Sequence, residues 1–511
     1  MKLSHLLACA ALLATFPAHA QQEASAKGCK YVNVASVPLR YTGPGLELTM
    51  EGSLNGTPAT LLVDTGASDT ALTRTGTEPR AMTLWNTGTS VMGVGGYSRI
   101  YNTRFKEFRA GPVSSRPGSL RVIHDFGSAP AYDGIVGAPF LLQADLEFSL
   151  AEKQIRFFRP VDCRKDFLAY WDPEAVVLPF ERSYSRSPNP HFTVLLNGKK
   201  LNAIIDSGAS TTVVTLNAAK RAGLKLDAPG VERAGYSAGV GESRVARWVT
   251  VFDTLQLGAE TIRNARVGVI DADLHDIDVL LGVDFLRAHR VLFAMSQEKL
   301  YISYIGGEPL GQRRGIEAWI QQEADADNTD AQMMLWQLYR SGQGVARDPV
   351  QAKTWLDRAA AGNNPFANFF IGRGHMPRRQ YAHAARHLRL GLEKLPGDRS
   401  AALWLYLARL HLGEGEAARA DLEKTFARDD NDQWPSPVAR HFLGKIDEKE
   451  LLEQARDDKA RANSQVCVAK TMMAERVAAS GDMEKAKALM AQRPECGPPP
   501  QPQPQPQPNK A

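Results

Sequence analysis

One stretch of this chain is used twice. Leu61-Leu62-Val63-Asp64-Thr65-Gly66-Ala67-Ser68 returns as Ala203-Ile204-Ile205-Asp206-Ser207-Gly208-Ala209-Ser210, an offset of 142 (206 minus 64). A single short match constrains little. The same offset, however, carries Asn55-Gly56 onto Asn197-Gly198, a hairpin-turn dipeptide ahead of each apolar run. Offsets of 145 to 147 then carry Gly93-Val94-Gly95 onto Gly239-Val240-Gly241, Gly111 onto Gly258, Gly137 onto Gly282 and Phe140-Leu141 onto Phe285-Leu286. A near-constant offset over that length means duplicated folding units, with loop insertions accounting for the slippage.

Inside each unit the pattern is all-β. Short runs rich in Val, Ile, Leu, Phe and Thr are separated by Gly, Pro, Asn and Ser: Ala59 to Val63, Arg121 to His124, Gln154 to Phe158, Phe192 to Leu196, Val249 to Phe252 and Lys299 to Tyr304. One short helix is expected at Thr215 to Ala222, ending at Gly223. Each unit is therefore expected to be a small sheet-rich barrel or sandwich.

After about residue 312 the apolar spacing becomes helical. Asp330 to Tyr339, Gly342 to Asp348 and Ala352 to Ala360 read as helix, turn, helix, and this unit resembles the Sel-one-like branch of the tetratricopeptide repeats. Further helical segments are expected at Tyr381 to Lys394, Ala401 to Leu412, Glu416 to Ala427, Pro437 to Phe442, Glu448 to Arg461 and Val466 to Gln492. Such helices bury their faces only against neighbours, so they must stack. The chain closes on a Pro-Gln tract too poor in apolar residues to fold.

The first residues explain the compartment. Met1-Lys2-Leu3 leads into an apolar run from Leu6 to Phe16 and then Pro17-Ala18-His19-Ala20, the pattern of a secretory signal peptide cut after Ala20. Cys9 sits inside that run rather than after it, which argues against a lipid anchor. No later stretch has the length of apolar residues that a membrane span needs, and export points to the periplasm. The expected division is a signal peptide over 1–20, β-domains over 21–165 and 166–312, a helical-repeat domain over 313–495 and a disordered tail over 496–511.

Net charge is +5 against 61 basic and 56 acidic residues, with no basic tract interleaved with aromatics, so nucleic acid is not an expected partner. Processing leaves Cys29, Cys163, Cys467 and Cys496, an even number bound for an oxidising compartment. Three connectivities are open. Cys29 with Cys163 and Cys467 with Cys496 is the expectation, because each pair staples one candidate domain. No cysteine and histidine spacing matches a zinc site, and no metal or cofactor is expected.

The chemistry resides in the repeated aspartate. An apolar strand delivers each carboxylate to the interior, the glycine lets the chain turn there, and the hydroxyl of Thr65 or Ser207 can bond across to the other half. Asp64-Thr65-Gly66-Ala67-Ser68 and Asp206-Ser207-Gly208-Ala209-Ser210 resemble the active-site signature of the retropepsin and pepsin aspartic peptidases. The resemblance extends to Ile135-Val136-Gly137 and Leu280-Leu281-Gly282, the apolar segment that crosses behind the catalytic loop. It also takes in the flap-like Met92-Gly93-Val94-Gly95-Gly96 and Ala238-Gly239-Val240-Gly241, so that it covers roughly residues 30 to 310. It implies two tandem retropepsin-like domains forming a pseudodimer, with Asp64 and Asp206 as a catalytic pair.

Two carboxyls within hydrogen-bond reach cannot both ionise, so one proton is shared and water is activated between them. The expected activity is that of an aspartic endopeptidase holding extended polypeptide under its flaps, monomeric, with the helices available to a protein partner. Pairing with a second molecule remains open, as does autoprocessing at Arg182 to Pro190 or in the tail. A rival from another class also remains: a non-catalytic adaptor that binds peptides with the same fold and works through its helices. Tyr97 and Tyr236 lie near the flaps, where an aromatic more often packs than lines a cleft. Asp69 is expected in a loop or cap, Asp133 and Asp278 in turns, and Asp284 as a helix cap. The scattered histidines give a nucleophilic triad no support.

Overall fold

The computed structural model describes residues 28–124, 129–182, 189–237, 239–241, 244–310, 315–427, 434–457, 461–491 and 496. The expected signal peptide, the centre of the Arg182 to Pro190 linker, Ala238 at the second flap and the Pro-Gln tract lie outside these residues. Asn55 and Asn197 take positive φ, followed by Gly56 and Gly198, as the two hairpin dipeptides require. Each turn feeds a strand whose apolar residues vanish from solvent: Thr57–Asp64 buries Leu61 and Val63, and Lys199–Ile205 buries Ala203 and Ile205.

In the first half the sheet runs 85–93, 96–105, 118–123, 71–73, 134–137, 57–64, 47–54, 108–110, 113–115, with 40–42 paired to 47–54. The second half repeats the centre: Val279–Leu281 lies parallel to Lys199–Ile205 and antiparallel to Val213–Thr215, as Gly134–Gly137 does to Thr57–Asp64 and Ala71–Thr73. Close approach explains the glycines that end these crossing strands. A Cβ on Gly137 would lie 2.3 Å from the carbonyl oxygen of Asp69, and one on Gly282 would lie 2.5 Å from the carbonyl carbon of Thr211.

A third sheet joins the halves. Its order is Lys30–Pro38, Gln154–Val161, Asp145–Ser149, His289–Ala294, Lys299–Tyr304, Val176–Pro179. The two central strands pair antiparallel with Glu147 opposite Leu292, and 292 minus 147 is 145, the offset that also relates Gly137 to Gly282. A strand therefore faces its own duplicate, and the pseudo-twofold axis passes between them. Glu147 is fully buried there, paired with Arg156 at 2.5 Å and Arg290 at 2.9 Å. Cys29 and Cys163 are bonded and close the edge of this sheet, beside the pair Lys30 and Val161. Cys467 and Cys496 are bonded as well.

From Ala318 onward the described chain is helical. Asn328, Asp348, Asn364 and Asp398 each cap a helix through a side-chain oxygen, with Pro349 and Pro365 in the first turns. The expected helix, turn, helix unit is Thr329–Ser341 and Pro349–Ala361. Where one helix was expected over Val466 to Gln492 there are two, Ala462–Ala479 and Met483–Ala491, because Gly481 takes a positive φ. Glu448–Gln454 also stops short of the expected end at Arg461. The helices dock on the first β half. Asn328 Nδ2 donates to Tyr41 O at 3.0 Å, Trp319 packs on Tyr41 with ring centroids 4.7 Å apart, and Arg399 pairs with Glu78 at 2.8 Å. Ile320, Ala324, Ala331, Leu335 and Trp355 belong to the same apolar core as both β halves, whereas Phe369, Leu388, Leu407 and Phe442 belong to a second core. No helix among the described residues is long and apolar enough to cross a membrane.

Candidate active site

Asp64 ends its strand, Asp206 directly follows the equivalent one, and the two meet on the pseudo-twofold axis. Each is partly exposed, and their carboxyl groups are hydrogen-bonded to one another. A Cβ on Gly66 would lie 2.4 Å from the carboxyl carbon of Asp206, and one on Gly208 would lie 2.4 Å from that of Asp64. Each carboxyl therefore rests on the glycine of the opposite half, which is why the third position of both motifs has no side chain. Ala67 N donates to Asp64 Oδ1 at 2.9 Å; Gly208 N and Ala209 N donate to Asp206 Oδ1 at 2.9 and 3.2 Å.

The hydroxyls lock the halves together. Thr65 Oγ1 donates to Ile205 O at 2.7 Å and accepts from Ser207 N at 3.0 Å; Ser207 Oγ donates to Val63 O at 2.8 Å and accepts from Thr65 N at 3.0 Å. Both residues are buried. Four buried bonds of roughly 1 kcal/mol each hold the carboxyls at contact distance. Burial, and after it the charge of Asp206, push the Asp64 carboxyl well above the usual carboxylate range. Burial raises Asp206 too, opposed by the Gly208 amide and by the hydrogen bond from Asp64.

Above the pair, two hairpins meet. The first is Trp85–Gly93 with Gly96–Phe105, turning at Val94-Gly95 with Gly96 at φ +89°. The second is Glu232–Ser237 with Val245–Leu257. Gly95 N donates to Val240 O at 3.0 Å, and Val94 packs against Ile204, Val213, Ile270 and Leu280 of the other half. A Cβ on Gly241 would lie 2.2 Å from the carbonyl carbon of Gly95, so main chain touches main chain at the tips. Between tips and aspartates lies a cavity of ≈ 360 Å³ lined by Asp64, Asp206, Gly93, Val94, Gly239 and Val240. Glu242 and Ser243 fall outside the described residues. Neither Tyr97 nor Tyr236 is among the cavity's lining residues: they are 66 % and 62 % exposed, and Tyr236 packs beneath the Arg233 guanidinium at 4.8 Å.

The acids set aside by sequence have structural partners. Asp133 accepts from Thr60 N at 2.9 Å and pairs with Arg80 at 3.0 Å; Asp278 accepts from Asn202 N at 3.1 Å and pairs with Arg221 at 2.6 Å. Asp69 lines the cavity mouth, paired with Arg121 at 2.8 Å. Its counterpart at the offset of 142 is Thr211, whose hydroxyl accepts from Arg247 Nη2 at 3.0 Å. Asp284 is a correction. Gly282 takes the cap position of Val283–Ala288, while Asp284 stands in the first turn and accepts from Thr212 N at 2.8 Å and Thr212 Oγ1 at 2.7 Å, bracing the loop that follows Asp206.

Sequence reasoning passed over Asn189 and Glu47. Asn189 is buried, and its Nδ2 donates to Thr65 O and, at 3.3 Å, to Ile205 O, tying the two aspartate loops to one amide. Glu47 lines the cavity. The signal for both was the offset itself, since 189 minus 47 is also 142. Among the described residues no group of three His, Cys, Asp or Glu side chains is arranged to hold a metal ion.

Comparison with known families agrees with this geometry. Residues 50–140 match the family described as "Aspartyl protease", and residues 192–288 match the one described as "gag-polyprotein putative aspartyl protease". Each match spans one catalytic-type aspartate and one crossing strand, so the chain carries two retropepsin-like aspartyl-protease domains in tandem, followed by a helix-rich region.

Proposed function

We propose that this protein is an aspartic endopeptidase that hydrolyses extended segments of exported proteins, with Asp64 and Asp206 as its catalytic residues. The observation that carries this reading is the cross-axis contact: each carboxyl sits on the other half's glycine, hydrogen-bonded to its partner, under two closed flaps. One proton is shared by the pair. The ionised carboxyl takes a proton from water as it attacks the peptide carbonyl, and the protonated one donates to the carbonyl oxygen. Breakdown of the tetrahedral diol then returns a proton to the leaving nitrogen. The flap main chain offers hydrogen bonds to a strand-like substrate, and alternate side chains enter the cavity.

Two disulfides and an apolar leader motivate an exported, periplasmic setting. We take the working units to be 21–165, 166–312 and 313–495. Purified protein is expected to digest an unstructured protein at mildly acidic pH, and Asp64→Asn or Asp206→Asn to abolish digestion. Undiminished cleavage by both variants ends this reading. A double Asp→Asn chain that keeps full biological function, while removal of residues 320 to 495 destroys it, would instead favour the adaptor.

A further inference from the structure

Glu47 opens the strand Glu47–Leu54 and lines the same cavity as Asp64. Its carboxyl folds back over the preceding loop, so closely that a Cβ on Gly45 would lie 2.4 Å from Oε1 and one on Gly43 2.8 Å from Oε2. Among the described residues no cation pairs with it. Another acid, Asp330, at the start of the helix Thr329–Ser341, bears on it instead. Burial first, and then Asp330, push the Glu47 carboxyl up to about 7, against the amides of Glu47 and Gly45. Tyr132 lies within electrostatic reach of both Glu47 and Asp64.

The pseudo-symmetry sharpens the point. At the equivalent place in the second half stands Asn189, neutral and committed to Thr65 and Ile205. The two equivalent places are thus unequal, with a carboxyl that has no counter-charge among the described residues at one and a neutral amide at the other. Withdrawing a carboxylate from water without a counter-charge is unfavourable, and a cation entering the cavity would relieve it. The acid is also held in place from outside the β halves: Asn328 Nδ2 donates to Tyr41 O at 3.0 Å, and Asp330, fixed by Asn364 Nδ2 at 2.7 Å, accepts from the Gly43 amide.

We propose that Glu47 forms a subsite for a basic side chain, lysine or arginine, of the polypeptide in the cleft, and that the helix Thr329–Ser341 positions it. This rests on the peptidase reading and adds a specificity to it. The test uses the full-length Asp206→Asn chain and fluorescent unstructured octapeptides in which one lysine, or its neutral counterpart norleucine, is walked through every position. At about pH 8 lysine should bind about tenfold more tightly than norleucine at one position. Glu47→Gln should erase that difference while leaving norleucine peptides bound as before, which also reports on folding, and Glu47→Asp should retain part of it. The preference should shrink at about pH 5.5, where Glu47 takes up a proton. No lysine preference at any position, a preference that survives Glu47→Gln, or no binding of any peptide overturns the proposal. Digestion of unfolded protein by the wild type is scored separately. Digestion without lysine preference removes the subsite and leaves the peptidase, and absence of digestion removes the peptidase.

Discussion

Gly66 and Gly208 show how little room the facing carboxyls leave. An added methyl group at either would sit 2.4 Å from the opposite carboxyl carbon, and the carboxyl would have to move. Gly208→Ala is therefore expected to keep the fold by circular dichroism and to lower kcat by about 100-fold, since displacement of a reacting group by about 1 Å costs that much. Asn189 acts one step further back. Asn189→Ala takes its donor from the Thr65 carbonyl and leaves the Ile205 carbonyl to the Thr65 hydroxyl, which should lower stability by about 1–3 kcal/mol in denaturant titrations and reduce kcat more than it changes KM. The aspartates were legible because the whole device is local: apolar strand, acid, hydroxyl, glycine. Asn189 and Glu47 were not, since a lone polar residue ahead of a strand looks like any loop residue until the offset of 142 sets the two side by side.

At the scale of elements, the strands were legible where burial on both faces produced continuous apolar runs, as in Thr57–Asp64 and Lys199–Ile205. The sheet joining the halves was not. Apolar runs such as Gln154 to Phe158 announce a strand but not its neighbour, and the pairing of Asp145–Ser149 with its duplicate is set by the axis rather than by either segment. The helices Ala318–Asp325 and Pro365–His375 escaped notice for a different reason: the first is one short amphipathic stretch, and the second carries Gly372 and Gly374 where a helix former is expected. The flaps make a prediction of their own. Gly241 has φ +124° and its hydrogen faces the Gly95 carbonyl, so Gly241→Ala strains the backbone and parts the tips. If closure over substrate drives catalysis, kcat/KM for a peptide should fall by about tenfold, an effect worth about 1.4 kcal/mol. Melting temperature should change little, because among the described residues a single main-chain hydrogen bond joins the tips.

Over the whole molecule, two β halves and the first helices share one apolar core, and that stability supports a site which by itself opposes folding. Both aspartates have folded-state pKa values above those of the unfolded chain, where an aspartate titrates near about 4. Below that pH both states are protonated and the pair costs nothing. As pH rises from about 4 the unfolded chain releases its protons while the folded pair retains one, so stability falls until the folded-state pKa is passed. Asparagine has the same shape and no proton to lose, so Asp64→Asn removes this opposition together with the proposed catalysis. The variant should melt within a degree or so of the wild type near about pH 4 and a few degrees above it near about pH 7, the gap widening steadily in between. Other buried acids with raised pKa values, among them Asp145, Asp284 and Asp330, are common to both proteins and cancel in the difference. Scanning calorimetry across a pH series measures it directly. Two curves that stay parallel would mean that the carboxyls ionise as freely in the folded chain as in water, and a pair that does so shares no proton and has no means of activating water.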